Sequence, residues 1–505
     1  MKIKIYQLLI CLVVFAAFSV EGRQSDDKQP NIIFFFIDDM GWRDWGGNGN
    51  TFLKTPSIDR IAKEGVIFDQ GYVNAANCAP SRCALLSGQY SPRTHFYNVW
   101  GINRGDKRTD RLSLNEVTDG QVLADEKITF AEALKKAGYA TAMYGKWHVS
   151  GHGKDGSGVN GGVSPAMQGF DDVLEHSAIE LKKIEDVDID PKKIFTYTKR
   201  AISFMEHSYQ QDKPFLIYMA HHAVHGPTRC RPASEELFQL NHAENTHNNP
   251  NDYAGMMYDT DESIGMILDK LEEMKIKNNT VVIFLSDNGG VPSRCTQAPL
   301  RAYKGSYYEG GIRVPYIISW PGEFKPGRSD VPVMAIDLYP TMMELAGVED
   351  IKSHIGSYAI DGVSLMPLLN GGDLKSRAMY WHFPGYLIGN SKYTGTRDPA
   401  YRQRPVSVIR KGDWKLHLFM EEWSLDGGFD KLTTNNAVEL YNLRDDISES
   451  NNLANSNPEK RNALLNELLN WHEQIKAPVP SELNEMKSDQ PSLNKRSKRK
   501  KRKSK

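Results

Sequence analysis

Cysteine is scarce, five among 505 residues, which excludes a disulfide-dense scaffold. Long apolar runs are scarce as well. The longest, Leu8–Phe18, is too short to cross a bilayer comfortably. A mean hydropathy of −0.51 excludes a multi-span membrane protein, and 10% aromatics exclude a wholly disordered chain. No internal repeat occurs. An excess of charge of one sign is also missing, with 62 basic against 63 acidic residues. That balance hides an asymmetry. Nine basic groups and no acid lie in 495–505 (KRSKRKKRKSK), and without these and the first 22 residues the body holds 51 basic and 62 acidic groups, about −11. Such a body is no general nucleic-acid binder, so an anionic ligand must be held by a local basic pocket.

The N-terminus has the layout of a secretory signal: Met1–Lys4 is short and basic, Leu8–Phe18 is apolar, and small residues follow. The expected organisation is a signal peptide over 1–22, a catalytic α/β domain over 23–370, a smaller α+β unit over 371–480 and a basic tail over 481–505. The protein is expected to be exported, periplasmic or secreted, with no integral membrane span. The tail is read as a solvated end rather than a glycan-binding element.

Asn31–Asp38 (NIIFFFID), Pro214–Ala220 (PFLIYMA) and Thr280–Asp287 (TVVIFLSD) are apolar runs of buried-strand length, and Val314–Trp320 is another. Helical patterns over Thr55–Gly65, Lys127–Gly138 and Asp252–Met274 alternate with them, and a short strand is expected around Ala140–Tyr144. This order predicts an α/β fold with a large, mostly parallel sheet sandwiched by helices. After about Leu369 the segments Ala378–Phe383, Val406–Arg410 and Trp414–Phe419 read as short strands, and Pro458–Ile475 as an amphipathic helix.

In such a sheet ligands gather beyond the carboxyl ends of the strands. Two runs end there in hard oxygens, Asp38-Asp39 and Asp287-Asn288. Three carboxylates and an amide suit Ca²⁺ better than Zn²⁺, although Asp and Asn also end strands for ordinary turn reasons. Asn77–Tyr90 (NCAPSRCALLSGQY) is more specific. Cys78 is open to two plain readings, a small buried residue ahead of a helix or a thiolate acidified by Arg82 and the helix end. Neither explains Pro80 and Ser81 at those offsets.

Cys78-Ala79-Pro80-Ser81-Arg82, followed by leucine and Ser87-Gly88, resembles the signature of type I sulfatases, members of the alkaline phosphatase-like superfamily. The remaining landmarks follow in order: Asp38-Asp39, Gly145-Lys146-Trp147-His148, His225-Gly226-Pro227, Asp287-Asn288-Gly289, then Lys304-Gly305 ahead of Tyr308–Gly311. The resemblance implies that Cys78 is oxidised to formylglycine by a converting enzyme that recognises Cys78–Arg82. It implies one Ca²⁺ held by Asp38, Asp39, Asp287, Asn288 and the modified Cys78. Arg82, Lys146 and Lys304 would neutralise sulfate oxygens, His148 would act as base on the aldehyde hydrate, and His225 would be the acid for the leaving alcohol. A hydrated aldehyde has two hydroxyls on one carbon, so one can attack sulfur while the other later expels sulfate.

The implied activity is hydrolysis of O-sulfate esters of carbohydrate. The first expectation for substrate is an algal polysaccharide such as ulvan or a carrageenan, the second a glycosaminoglycan. Alternatives are a phosphonate or phosphate ester hydrolase of the same superfamily and a non-catalytic binder of sulfated glycan. Candidate rim contacts are Trp100, Arg104, His152, His176, Arg229, Arg231, Arg301, His382 and Arg402, since aromatic and basic groups suit sugar rings and their anionic substituents. His221 and His222 share the loop of His225 and are expected to orient it or line the pocket. A Cys230–Cys295 disulfide is conceivable in an exported protein.

Overall fold

The computed structural model describes residues 29–150, 163–176, 180–181, 189–239, 245, 249–389 and 394–482. The expected signal peptide, His152 and the basic stretch 495–505 lie outside them. The run Asn31–Ile37 is wholly buried because it has parallel partners on both sides, Phe215–Ala220 and Thr280–Ser286. Its side chains alternate between two cores. Ile32, Phe34 and Phe36 pack with Cys83, Ala84 and Leu85 of the helix Cys78–Ser87. Ile33, Phe35 and Ile37 pack with Met256, Met257 and Ile264 of the helix Asn251–Glu273.

Among the described residues the sheet has eight strands in the order Gly327–Ser329, Gly65–Phe68, Tyr316–Ser319, Thr280–Ser286, Asn31–Ile37, Phe215–Ala220, Ala140–Gly145 and Asp172–Leu174. It is mixed, because Tyr316–Ser319, within the predicted run Val314–Trp320, lies antiparallel to both neighbours. Within the predicted pattern Thr55–Gly65 the helix Pro56–Lys63 is capped at Glu64, and Gly65 both follows its end and opens the strand Gly65–Phe68. Local caps set other boundaries: Thr129 and Glu132 form a capping box at Phe130–Lys136, and Gly88 ends Cys78–Ser87 at φ +66°.

A smaller antiparallel sheet joins Ala378–Phe383, Val406–Lys411, Trp414–Phe419 and Val438–Asn442, and the helix Pro458–Ile475 packs on it. The chain then returns to the larger unit, where Ser481–Glu482 pairs with Leu112–Ser113. The two units share a buried ion network. The Lys415 ammonium lies 2.8 Å from Glu309 and 2.9 Å from Glu449, and His417 is 3.1 Å from Glu449. Tyr72 donates to Glu309 at 2.6 Å.

Candidate active site

Four adjacent parallel strands, Thr280–Ser286, Asn31–Ile37, Phe215–Ala220 and Ala140–Gly145, end on one edge of the sheet. The polar residues after each end therefore meet. The Asp287 amide donates to Ile37 O at 2.9 Å, and the Asp39 amide to Asp287 Oδ1 at 3.1 Å. Asp39 takes φ +66°, a left-handed turn that aspartate tolerates better than most residues. Against this edge the helix Cys78–Ser87 points its first residue, so Cys78 completes a buried group with Asp38 and Asp287 in which one donor atom from each lies within 4.8 Å of the others.

The whole segment Cys78–Arg82 is buried. Arg82 donates from Nε (3.0 Å) and Nη2 (2.8 Å) to Asp287 Oδ2 and from Nη1 to Lys146 O (2.9 Å), and its guanidinium lies over Phe36. Three charge-assisted bonds account for an arginine with no exposed surface. Lys146 donates to Asp38 Oδ2 at 2.6 Å. Lys304 pairs with Asp39 Oδ1 and lies 3.8 Å from Cys78 Sγ. Burial raises the Cys78 thiol, and Lys146 and Lys304 only partly oppose it. This direction runs against a thiolate acidified by Arg82 and the helix end.

The oxygens fit a hard cation. Burial alone would raise the Asp38 carboxyl, yet Lys146, His225, Arg82 and Lys304 hold it well below its usual range. Asp39 is lowered in the same way, chiefly by Lys304 and then His225 against burial. Asp287 is pushed up to about 7 by burial and by the Asp38 charge, a crowding that a divalent ion would relieve. Asp38 Oδ1 and Asn288 Oδ1 are buried with no hydrogen-bond partner among the described residues. Asn288 spends its Nδ2 on Asp39 Oδ1 at 2.8 Å and so turns its oxygen to the site. This donor set suits an oxygen-seeking ion such as Ca²⁺.

His148, half-buried at φ +66°, follows Lys146 and the buried Trp147. His225 Nε2 lies 3.7 Å from Asp39 Oδ2, and Nδ1 is 2.7 Å from Gly226 O, which fixes the proton on Nδ1 in the neutral ring. Desolvation lowers the His225 imidazole against Asp38 and Asp39, which makes its protonated form a stronger acid than free imidazole. His221 and His222 are buried and neutral; burial takes His221 down to about 4 and His222 well below its usual value. Gly289 and Gly310 explain two motif glycines, because a Cβ on Gly289 would fall 1.9 Å from Gly310 O. Their backbones seat the turn that follows Lys304.

The rim candidates divide. Arg104 lies within electrostatic reach of Cys78, on a strand (Asn103–Arg104) paired with Tyr386–Ile388, which also pairs with Tyr401–Gln403. Arg402, from that last strand, packs against Gly305 beside Lys304. Arg229 is half-buried near the His225 turn, and Trp100 stands exposed. The other candidates have structural duties instead. His382 is 1% exposed and bonds Ser407 Oγ and Pro478 O. Arg231 pairs with Asp259 and Glu262. Arg301 donates to Gly395 O, Tyr441 Oη and Glu449 O. His176 bonds Tyr197 Oη. Cys230 and Cys295 are both free and form no disulfide with each other; Cys295 packs beside Gly41 and Gly290, whereas Cys230 packs beside Gly255. Sequence reasoning missed Lys192 and Arg294, which flank the His225 turn. Neither sits in a motif, and no local pattern would have flagged them.

The family model described as Sulfatase matches residues 30–348, and one described as N-sulphoglucosamine sulphohydrolase, C-terminal, matches 303–476. Similar curated proteins include a sulfatase of Formosa agariphila, 29% identical over 91% of this chain and 90% of the relative. The N-acetylgalactosamine-6-sulfatase of Sus scrofa is 30% identical over 72% and 70%. Among solved structures, Ps i-CgsB superposes with a TM-score of 0.65 at 25% identity, covering 88% of this chain and 93% of that one. That protein has also been solved in complex with a neocarrahexaose. A structure from work on the metabolism of multiple glycosaminoglycans by Bacteroides thetaiotaomicron gives 0.66 at 25%, covering 89% and 100%.

Proposed function

This chain belongs to the type I, formylglycine-type sulfatase family, and from that premise we propose that it hydrolyses O-sulfate esters of a sulfated polysaccharide or its oligosaccharides. The observation that carries the reading is the buried convergence of Asp38, Cys78 and Asp287 within 4.8 Å, bracketed by the ammonium groups of Lys146 and Lys304. Ca²⁺ and the formylglycine made from Cys78 supply, when present, a Lewis acid and an oxygen nucleophile for sulfur. Asp38, Asp39, Asp287 and Asn288 would hold the ion through their oxygens. Arg82 fixes Asp287, while Lys146 and Lys304 set positive charge against the sulfuryl oxygens, where negative charge grows during transfer. His148 would serve as the base for the group at position 78. In its protonated form His225 would give the Nε2 proton to the departing sugar oxygen, which is otherwise a poor leaving group.

Burial of Cys78–Arg82 bears on the partner. On this reading the converting enzyme acts on that segment before the helix packs, and the burial supports that order. Export rests on the pattern of residues 1–22, and N-terminal sequencing of the mature protein tests it.

The carbohydrate class draws support from the relatives, one solved with a neocarrahexaose, one from work on glycosaminoglycan metabolism and one named an N-acetylgalactosamine-6-sulfatase. Arg104 and Arg402, on the Lys304 side, suit a sugar with anionic substituents. Sulfate release from defined algal and glycosaminoglycan oligosaccharides tests the reading, beside a sulfate and a phosphate ester of one aryl alcohol. Sulfate release with slow phosphate turnover is expected. Faster phosphate turnover would replace the proposal with a phosphate ester hydrolase.

A further inference from the structure

Three cations without a part in the chemistry above surround the turn that carries His225. Lys192, 4% exposed, donates from Nζ to His225 O at 2.9 Å and to Pro227 O at 3.2 Å. Arg294 approaches the same turn, with Nη1 3.4 Å from Val224 O and 3.7 Å from Asp39 Oδ2. A Cβ at position 226 would fall 2.1 Å from Arg294 Nη2, so the glycine of His225-Gly226-Pro227 is the space in which that guanidinium lies. Arg229 stands two residues beyond Pro227, half-buried, with no ion-pair partner among the described residues.

These groups press on one another. Burial, with Arg294, Lys146 and Arg229 nearby, takes the Lys192 ammonium down to about 8, and Asp38 is the main group that opposes them. Asp38 is already paired with Lys146, and Asp39 with Lys304 and Asn288. Among the described residues Arg294 has one ion pair, to Asp39 at 3.7 Å, and Arg229 has none, so both guanidinium groups keep donors for a further anion. Gathering like charges under partial burial is costly unless a ligand supplies the counter-charge.

We infer that Arg229 and Arg294, with Lys192 beneath the turn, form an anion subsite for a second negatively charged group, a sulfate or a carboxylate, on the sugar that bears the scissile ester or on its neighbour. The subsite lies on the leaving-group side because it surrounds His225, and in this it rests on the function proposed above. Two guanidinium forks match the planar edges of such anions, and Lys192, tied to two carbonyls, positions the turn between them.

The test compares two forms of one disaccharide, monosulfated and carrying a second sulfate, as substrates for wild type, Arg229→Ala, Arg229→Lys and Arg294→Ala. The wild-type enzyme is expected to prefer the doubly charged sugar in kcat/KM by about tenfold or more. Each alanine variant should cut that preference about tenfold, mainly through KM, and Arg229→Lys should keep part of it. A wild-type ratio near one, or an unchanged ratio in both alanine variants, overturns the subsite. If converted wild-type protein releases sulfate from neither sugar, the sulfatase reading is what fails. Titration calorimetry of the same two sugars then reads the subsite alone: equal affinity, or no loss in Arg229→Ala, overturns it. Should Arg294→Ala fail to fold, the partly exposed Arg229 carries the comparison.

Discussion

Replacing Lys415 by methionine measures how firmly the smaller sheet holds the active-site turn. The wholly buried Lys415 ammonium lies between Glu309 and Glu449 at 2.8 and 2.9 Å, and Glu309 belongs to the turn that follows Lys304. Methionine keeps most of the side-chain length and removes the charge, leaving two buried carboxylates short of their main partner. Removing one member of a buried ion pair costs about 3–5 kcal/mol. A second route gives a similar size. Burial would raise the Glu309 carboxyl, but Lys415, Arg313 and Arg410 bring it from 4.5 to about 2. At about 1.4 kcal/mol per pH unit, that lowering corresponds to about 3 kcal/mol shared among the three cations, of which Lys415 is the largest contributor.

The folded value lies below the unfolded one, so this stability is fully present above about 4.5 and is lost as pH falls toward 2. Urea unfolding followed by tryptophan fluorescence should show Lys415→Met less stable by about 3 kcal/mol or more at pH 7. The gap should narrow between about pH 5 and pH 2. Sulfate release should fall as well, because Lys304 loses the support of its turn. An unchanged unfolding midpoint at pH 7, or a gap that stays constant down to pH 3, would refute the reasoning.

His225→Ala should slow sulfate release from a sugar by about 10²–10⁴, and far less from an aryl sulfate, whose leaving group needs no proton; equal losses on both would remove the acid role. Chelation with EGTA should lower both activity and the thermal midpoint. Calcium at 100 to 1,000 times its Kd should restore about 3–4 kcal/mol. A chelated protein with unchanged melting would contradict the cation site. Cys78→Ser, made where the converting enzyme oxidises only cysteine, should abolish turnover while the unfolding midpoint stays within about 0.5 kcal/mol of wild type. Retained turnover would show that the residue is not the reacting group.

The strands that position the site are legible because apolar runs bounded by Asp and Asn state both a buried element and its polar end. Asp38, Asp39, Asp287 and Asn288 are therefore visible in order, and the distance along the chain does not matter, since adjacent parallel strands bring their ends together. Lys192 and Arg294 are invisible for the opposite reason. They come from irregular loops, and their placement depends on where those loops return. The rim residues show the same limit: Arg231, Arg301 and His382 look available in sequence, yet each finds buried partners supplied by distant segments. Glu309 is the clearest case. It reads as one acid in a glycine-rich turn, and its partner Lys415 is more than a hundred residues away on a strand of the other unit. The mixed direction of the sheet was hidden too, because Tyr316–Ser319 is as apolar as its parallel neighbours.

The central claim is that position 78 carries the oxygen that takes sulfuryl from the substrate. The most direct measurement is mass spectrometry of the peptide spanning Cys78–Arg82, from protein produced with and without the converting enzyme, read against sulfate release from the same preparations. The account predicts an aldehyde in place of the thiol, with activity rising in proportion to the fraction converted. Full activity in protein whose Cys78 remains an unmodified thiol would contradict it.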